Sequence, residues 1–416
     1  MKIYTIRATE HFKYASDVEN IIDTQYKNAL RYAVVDKNTL EISLIEYPYN
    51  IVYSNVINYV KPNVKNEFVV VNIIPTGVGA EFGGYIADAT PITNVMANIA
   101  DVVITHPNVL NGSYINYGAS NILYVEGYSL DQFLTGKLSL KNNKRQNKIG
   151  VIIDKRGFEE EGDFAINTIE SLRAILGINL LAIVITKEYV GGKALLMPSG
   201  AFAGEVKNPE TLIEAASELR RNGANAIAIA TFIDMEEEHL NAYFKDEIPN
   251  PMGGTEALIS HLISKKFKLP CAHAPIISKR EKELYLSKGL VDPRCAAEVV
   301  SPGYLGCILK GLNLAPQLGH GESTFDYTVH DVDAIVVPYG CCGGVPVIAA
   351  QKYGIPIIAV KENKTVLNVT PNVLNLRNVI VVDTYLEAFG VLNVMKAKVS
   401  LESVKRPLIK GKEIRK

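Results

Sequence analysis

Cys341 and Cys342 stand side by side after the apolar run "DAIVVP", and Pro346 predicts a helix beginning near Val345. A thiol at the amino end of a helix feels the positive end of the peptide dipoles and can ionise near neutral pH, becoming a nucleophile or an acid/base. Gly343 and Gly344 let a ligand approach the backbone, and their amides suit a carboxylate or an oxyanion. Neighbouring side chains point different ways, so Cys342 is expected as the reactive thiol and Cys341 as the packed one.

An acid/base partner has two candidates. In "PCAHA", Cys271 and His273 are two residues apart, which on a strand puts both on one face, as a working pair or as two metal ligands. His106 follows an apolar run in "THPNVLNG", with Asn108 and Asn111 behind it as ligand-binding candidates. In "GGTEALISH", Thr255 reads as a helix N-cap and Glu256 as an acidic first-turn residue; His261, five positions on, is turned away from Glu256.

The segment "PTGVGAEFGG" has one residue too many between Gly79 and Gly83 for a dinucleotide fingerprint, and Glu81 would repel phosphate. A carboxylate among Gly77 and Gly79 fits an amine, a hydroxyl or a divalent metal ion better. Ser199 and Gly200 occupy a similar corner.

Elements able to position these residues are plain. "FVVVNII", "DVVIT", "NILYVEG", "KIGVIID", "LLAIVIT", "NAIAIAT", "DAIVVP", "IPIIAV" and "NVIVVD" are continuous apolar runs with helical patterns between most of them. They imply an α/β protein with mostly parallel sheets and helices packed on both faces. "YAVVDKNTLEISLIEY" reads as a hairpin turning at Asp36–Asn38. Three runs end in Pro, one residue, Gly, at Pro75, Pro198 and Pro338, which suggests three related β-loop-α-β units around a shared site. The basic stretch near 145 and the acidic one at 234–252 divide the chain into 1–145, 146–250 and 251–416.

The bulk numbers narrow the partners. With 43 basic against 44 acidic residues among 416, no field attracts nucleic acid or an anionic membrane. No apolar run approaches the ~20 residues of a membrane span, and the amino terminus is not a signal peptide. A cytoplasmic location is therefore expected, and five cysteines without a CxxC pair point to free thiols. The partner is a small molecule, and assembly into a homo-oligomer is left open.

The ordered set "PTGVGAEFGGYIADATP", "THPNVLNG", "YVEGYSLDQF", "GGTEALISH", "LPCAHAP", "CGG" and "YLEAFGVL" resembles a conserved family known only as a domain of unknown function, from about Val69 to Ala397. That resemblance implies one cysteine before the paired glycines, here Cys342, and brings no activity. The three corners with "GGTE" are also similar to ring-opening amidohydrolases acting on cyanuric acid and barbiturate. That family uses Ser and Lys pairs; here Ser199 sits in one corner, Thr76 and the cysteines in the others, without matching lysines.

These residues lead us to expect an enzyme acting on a small polar metabolite, an isomerase such as a racemase or a cyclic-amide hydrolase. Cys342 would serve as nucleophile or proton carrier, His273 or His106 as its partner, and Glu81 nearby. A non-catalytic small-molecule or nucleotide-binding protein and a metal-dependent hydrolase built on Cys271, His273 and Glu81 or His106 are the alternatives.

Overall fold

The computed structural model describes residues 2–46, 65–84, 88–111, 117–141, 143, 145–245, 247–287, 289–291, 293, 294, 296, 304–321 and 323–411; Cys295 lies outside them. The amino-terminal strands are β1 (Lys2–Thr9), β2 (Ala29–Asp36) and β3 (Thr39–Glu46). They are followed by β4 (Val69–Asn72), β5 (Val102–Thr105), β6 (Ile122–Tyr124) and β7 (Ser139–Lys141). The middle of the chain forms β8 (Ile149–Ile153), β9 (Leu180–Ile185), β10 (Gly192–Leu196), β11 (Phe202–Val206), β12 (Ala226–Thr231) and β13 (Ile233–Asp234). Last come β14 (Cys271–Pro275), β15 (Gln317–Gly319), β16 (Val332–Pro338), β17 (Ile357–Val360) and β18 (Val379–Val382).

The protein is α/β, and all nine apolar runs are strands. One parallel sheet has the order β18-β17-β16-β4-β5-β6, and a second, β14-β12-β8-β9, is parallel throughout. Every residue of β4, β5 and β17 is buried, as strands covered by helices on both faces must be. The helices Thr90–Ile99 and Val345–Tyr353 make the β4-to-β5 and β16-to-β17 crossovers. A mixed sheet, β13-β10-β11-β1-β3-β2, brings the amino-terminal hairpin against this frame.

Two of the three Pro-x-Gly corners are therefore alike, and they lie on the adjacent parallel strands β4 and β16. The middle corner, at Pro198, departs from the expected unit. β10 and β11 pair antiparallel with Leu196 opposite Phe202, so Pro198, Ser199 and Gly200 belong to a hairpin turn with no helix. Strand ends rich in Pro and Gly serve hairpins as readily as crossovers.

The linear blocks 1–145, 146–250 and 251–416 do not map onto separate sheets. β4 to β6 come from the first block and β16 to β18 from the third, yet they form one sheet, and β1 pairs with β11 across another boundary. The basic stretch near 145 is likewise part of the structure. β7 pairs with β15, and buried Asn147 donates to the carbonyls of Leu312 and Ala315 at 2.8 and 2.9 Å.

The hairpin expected at Asp36–Asn38 is β2 turning into β3. It ends on the paired glycines: Val34 N–H donates to Gly343 O at 2.9 Å, and a Cβ on Gly343 would lie 2.2 Å from Val34 O. Glycine at 343 is thus required by the approach of another strand.

Candidate functional site

The helix Gly253–Phe267 is buried on most sides. Its paired glycines let its amino end press against the fold, since a Cβ on Gly254 would stand 2.4 Å from Phe202 O. Glu256, Ser260 and His261 then face a cavity of about 230 Å³. The ends of β4, β14 and β16 open onto it, as does the loop after β5, and β2 forms another wall. Ligand sites of open parallel sheets lie beyond carboxyl strand ends in this way.

Two imidazole–carboxylate pairs lie in this wall. His261 Nδ1 donates to Glu126 Oε1 at 2.5 Å. Glu126 is buried just after β6 as the N-cap of helix Gly127–Leu134, where it also accepts Ser129 N–H at 3.1 Å and Ser260 Oγ at 3.0 Å. Burial alone would raise its pKa, but the imidazole charge and hydrogen bond, with the amides of Ser129 and Tyr128, hold it below the usual carboxylate range. With Nδ1 fixed, Nε2 is the nitrogen His261 offers to a ligand.

The second pair is arranged in reverse. His273, on β14, has both nitrogens committed: Nε2 to Thr231 Oγ1 at 2.8 Å and Nδ1 to Glu256 Oε2 at 3.2 Å. Here the imidazole stands behind and orients the carboxylate. His273, expected as an acid/base, has neither ring nitrogen left for a substrate.

His106 lines the same cavity, and its Nε2 accepts Ile74 N–H at 3.2 Å. Burial pushes its pKa down to about 4, so the ring is neutral and its Nδ1–H is a donor. Asn111 Nδ2, buried and unpartnered, is a second donor beside it. Asn108 also borders the space, but its amide is given to the carbonyls of Ile74 and Pro75 at 2.9 and 3.2 Å. Asp131, Asp88 and Arg31 also belong to the charged lining. Burial lifts the Asp131 carboxyl to about 7 against the opposing pull of His261 and Arg31.

The expected thiol is not available. Cys342 is fully buried in the apolar core, its Sγ turned back to Tyr339 O at 3.5 Å, and burial pushes it up to about 12. The helix does start at Val345, but the turn before it points Cys342 inward, and loss of solvent outweighs the dipole. Cys341 borders the cavity, yet it is only 3 % exposed and also pushed up to about 12 by burial. Gly343 and Gly344 are in the lining as expected.

Other candidates lie elsewhere. Glu81 is half exposed and pairs with Arg294 at 2.6 Å. Gly77 and Gly79 border a smaller neighbouring hollow with Asn108. Ser199 Oγ donates to Glu41 at 2.7 Å, and Gly200 lies beside Val366, both in the hairpin turn. Thr255 is not the N-cap, which is Met252; its buried Oγ1 donates to Lys193 O at 3.0 Å. Cys271 and His273 do share one face of β14 and meet the same helix, but Cys271 Sγ donates to Ser260 O at 3.1 Å inside the core, a turn away from the Glu256 that His273 meets. Among the described residues no three His, Cys, Asp or Glu side chains converge to hold a metal ion.

Glu126, Asp131, His261 and Arg31 were missed. Glu126 and His261 lie in "YVEGYSLDQF" and "GGTEALISH", both legible as motifs. Their pairing across 135 positions has no local signature.

Residues 69–405 match the model of a family described as "Protein of unknown function (DUF3326)". The chain belongs to this family. It is also 36% identical over 329 residues to a protein named "uncharacterized lipoprotein" from Synechococcus sp. (strain ATCC 27144 / PCC 6301 / SAUG 1402/1), across 78% of this chain and 90% of that protein. No solved structure matches. The likeness to ring-opening amidohydrolases gains nothing from these matches. Glu126, Glu256, His261, His273 and His106 all fall within the DUF3326 match, whereas Arg31 on β2 falls outside it.

Proposed function

We propose that this DUF3326 protein is an enzyme that moves a proton on a small polar metabolite, with His261 and Glu256 as the acid/base groups. The observation that carries this reading is the paired arrangement: an imidazole backed by Glu126 and a carboxylate backed by His273, both bordering one cavity. Proton transfer needs groups held in place with the correct tautomer, and each backing residue supplies that.

The two donors give the reaction a direction. The neutral His106 Nδ1–H and Asn111 Nδ2 suit a carbonyl oxygen on which negative charge grows when a neighbouring C–H proton is removed. With both thiols at the turn buried, an isomerase or racemase is better supported than a cysteine-dependent hydrolase. Among the described residues no helix is long and apolar enough to cross a membrane. We place the enzyme in the cytoplasm; the relative's name, lipoprotein, offers a membrane-surface location instead, and cell fractionation decides between them.

Deuterium wash-in tests the chemistry. The protein is incubated in D₂O with small 2-hydroxy, 2-amino and 2-oxo acids, and mass spectrometry reads exchange at carbon. Exchange into at least one acid, abolished by His261→Asn, is expected. A ligand that binds without any exchange would leave a binding protein in place of an enzyme.

A further inference from the structure

Arg31 is the charged residue of the cavity wall that comes from outside the family match. It lies on β2, within the hairpin that docks onto Gly343 and Gly344. Its guanidinium makes one long hydrogen bond, from Nη2 to Thr76 O at 3.4 Å, and no carboxylate stands within 4 Å of it among the described residues. Burial drives its pKa down while the fields of Glu41 and Asp131 push the other way.

Arg31 is partly buried, and a guanidinium shielded from water is costly unless anionic oxygens meet its N–H groups. Among the described residues the fold supplies a single carbonyl at the limit of bonding distance, and Arg31 borders the cavity. We propose that Arg31 is the specificity residue of this site and binds a carboxylate of the substrate. The inference rests on the reading of the cavity as an active site and names its substrate class: small carboxylic acids whose reacting carbon lies between the Arg31-bound carboxylate and the His261 and Glu256 pair.

Carboxylate is favoured over phosphate by shape and by charge. A carboxylate matches the guanidinium fork with two parallel bonds. It also brings one negative charge to balance one cation, in a cavity that already holds Glu256 and Asp88. A phosphate dianion would leave an excess beside those groups. The hairpin that brings Arg31 is absent from the family match, so relatives without it would select a different end group.

Calorimetric titration tests this with lactate, propionate, propionamide and inorganic phosphate as probes, against the wild-type protein, Arg31→Gln, Arg31→Lys and His261→Asn. The wild type is expected to bind lactate or propionate at least tenfold more tightly than propionamide or phosphate. Arg31→Gln should lose at least tenfold and with it the preference for charge, while Arg31→Lys keeps part of both. Equal binding of propionate and propionamide, tighter binding of phosphate, unchanged binding in Arg31→Gln, or no binding of either acid would overturn the assignment. Should Arg31→Gln fail to fold, the acid-to-amide ratio in the wild type and in Arg31→Lys decides alone. His261→Asn separates the two claims: it should still bind the acid while losing exchange, and a wild-type protein that holds the acid through Arg31 without exchange would refute the catalytic reading only.

Discussion

His261 and Glu126 join two helices through one 2.5 Å contact: the carboxylate that receives the imidazole proton is also the N-cap of Gly127–Leu134. Helix cap and imidazole partner are thus one residue. Glu126→Gln keeps an acceptor for Ser129 N–H but removes the charge behind His261. The exchange rate should fall by about 10²–10⁴, the usual contribution of a positioned acid/base. The melting temperature should drop by a few degrees, as loss of about 1 kcal/mol implies. A variant exchanging at the wild-type rate would remove His261 from the chemistry.

Asp131 should make stability depend on pH. Its folded pKa is raised from 3.8 to about 7, so between those values the native state holds a proton that the unfolded chain has released. Stability from this group is therefore full below about pH 4 and declines as pH rises to 7. Asp131→Asn removes that slope. The variant should gain on the wild type across this window by roughly 1–2 kcal/mol, discounted for cavity water. Urea titrations of both proteins at pH 4.5, 6 and 8 measure the difference; a constant difference would mean that Asp131 is already ionised at the lowest pH.

Cys342 should be inert in the folded protein. With its thiol pushed up to about 12 by burial, iodoacetamide at pH 7 should label Cys342 far more slowly than a free thiol until the chain unfolds. Cys342→Ala should retain exchange activity and cost about 1–2 kcal/mol of stability through the small void it leaves. Rapid labelling blocked by a bound acid would restore the thiol mechanism.

Gly343→Ala should damage both the fold and the site. The new Cβ would stand 2.2 Å from Val34 O, a backbone atom, so β2 must move and carry Arg31 with it. A loss of roughly 2–4 kcal/mol is expected from thermal melts, together with weaker acid binding. Gly344, whose Cβ would meet only Pro346 Cδ at 3.6 Å, is the control and should accept alanine with little loss. Equal effects at the two positions would contradict the docking of β2.

Much of the scaffold was legible because parallel strands buried on both faces leave continuous runs such as "VVIT" and "IIAV". The helix start at Val345 and the acidic first-turn Glu256 were readable from local chemistry. Where residues were judged by their neighbours alone, the reading failed. Cys342 faces inward because of how β16 hands over to the next helix, and Ser199 sits in a hairpin because β11 returns antiparallel. The pairs Glu126 with His261 and Val34 with Gly343 are tertiary, joined between distant segments, and no spacing in the sequence encodes them.

Nuclear magnetic resonance of protein labelled with ¹⁵N only in its seven histidines gives the most direct test. On titration with the tightest-binding acid, the ring nitrogens of His261 and His106 should shift together, His106 staying neutral from pH 5 to 8, while exposed His320 and His330 stay still. If the acid binds and neither His261 nor His106 responds, the cavity between these histidines is not where this protein does its chemistry.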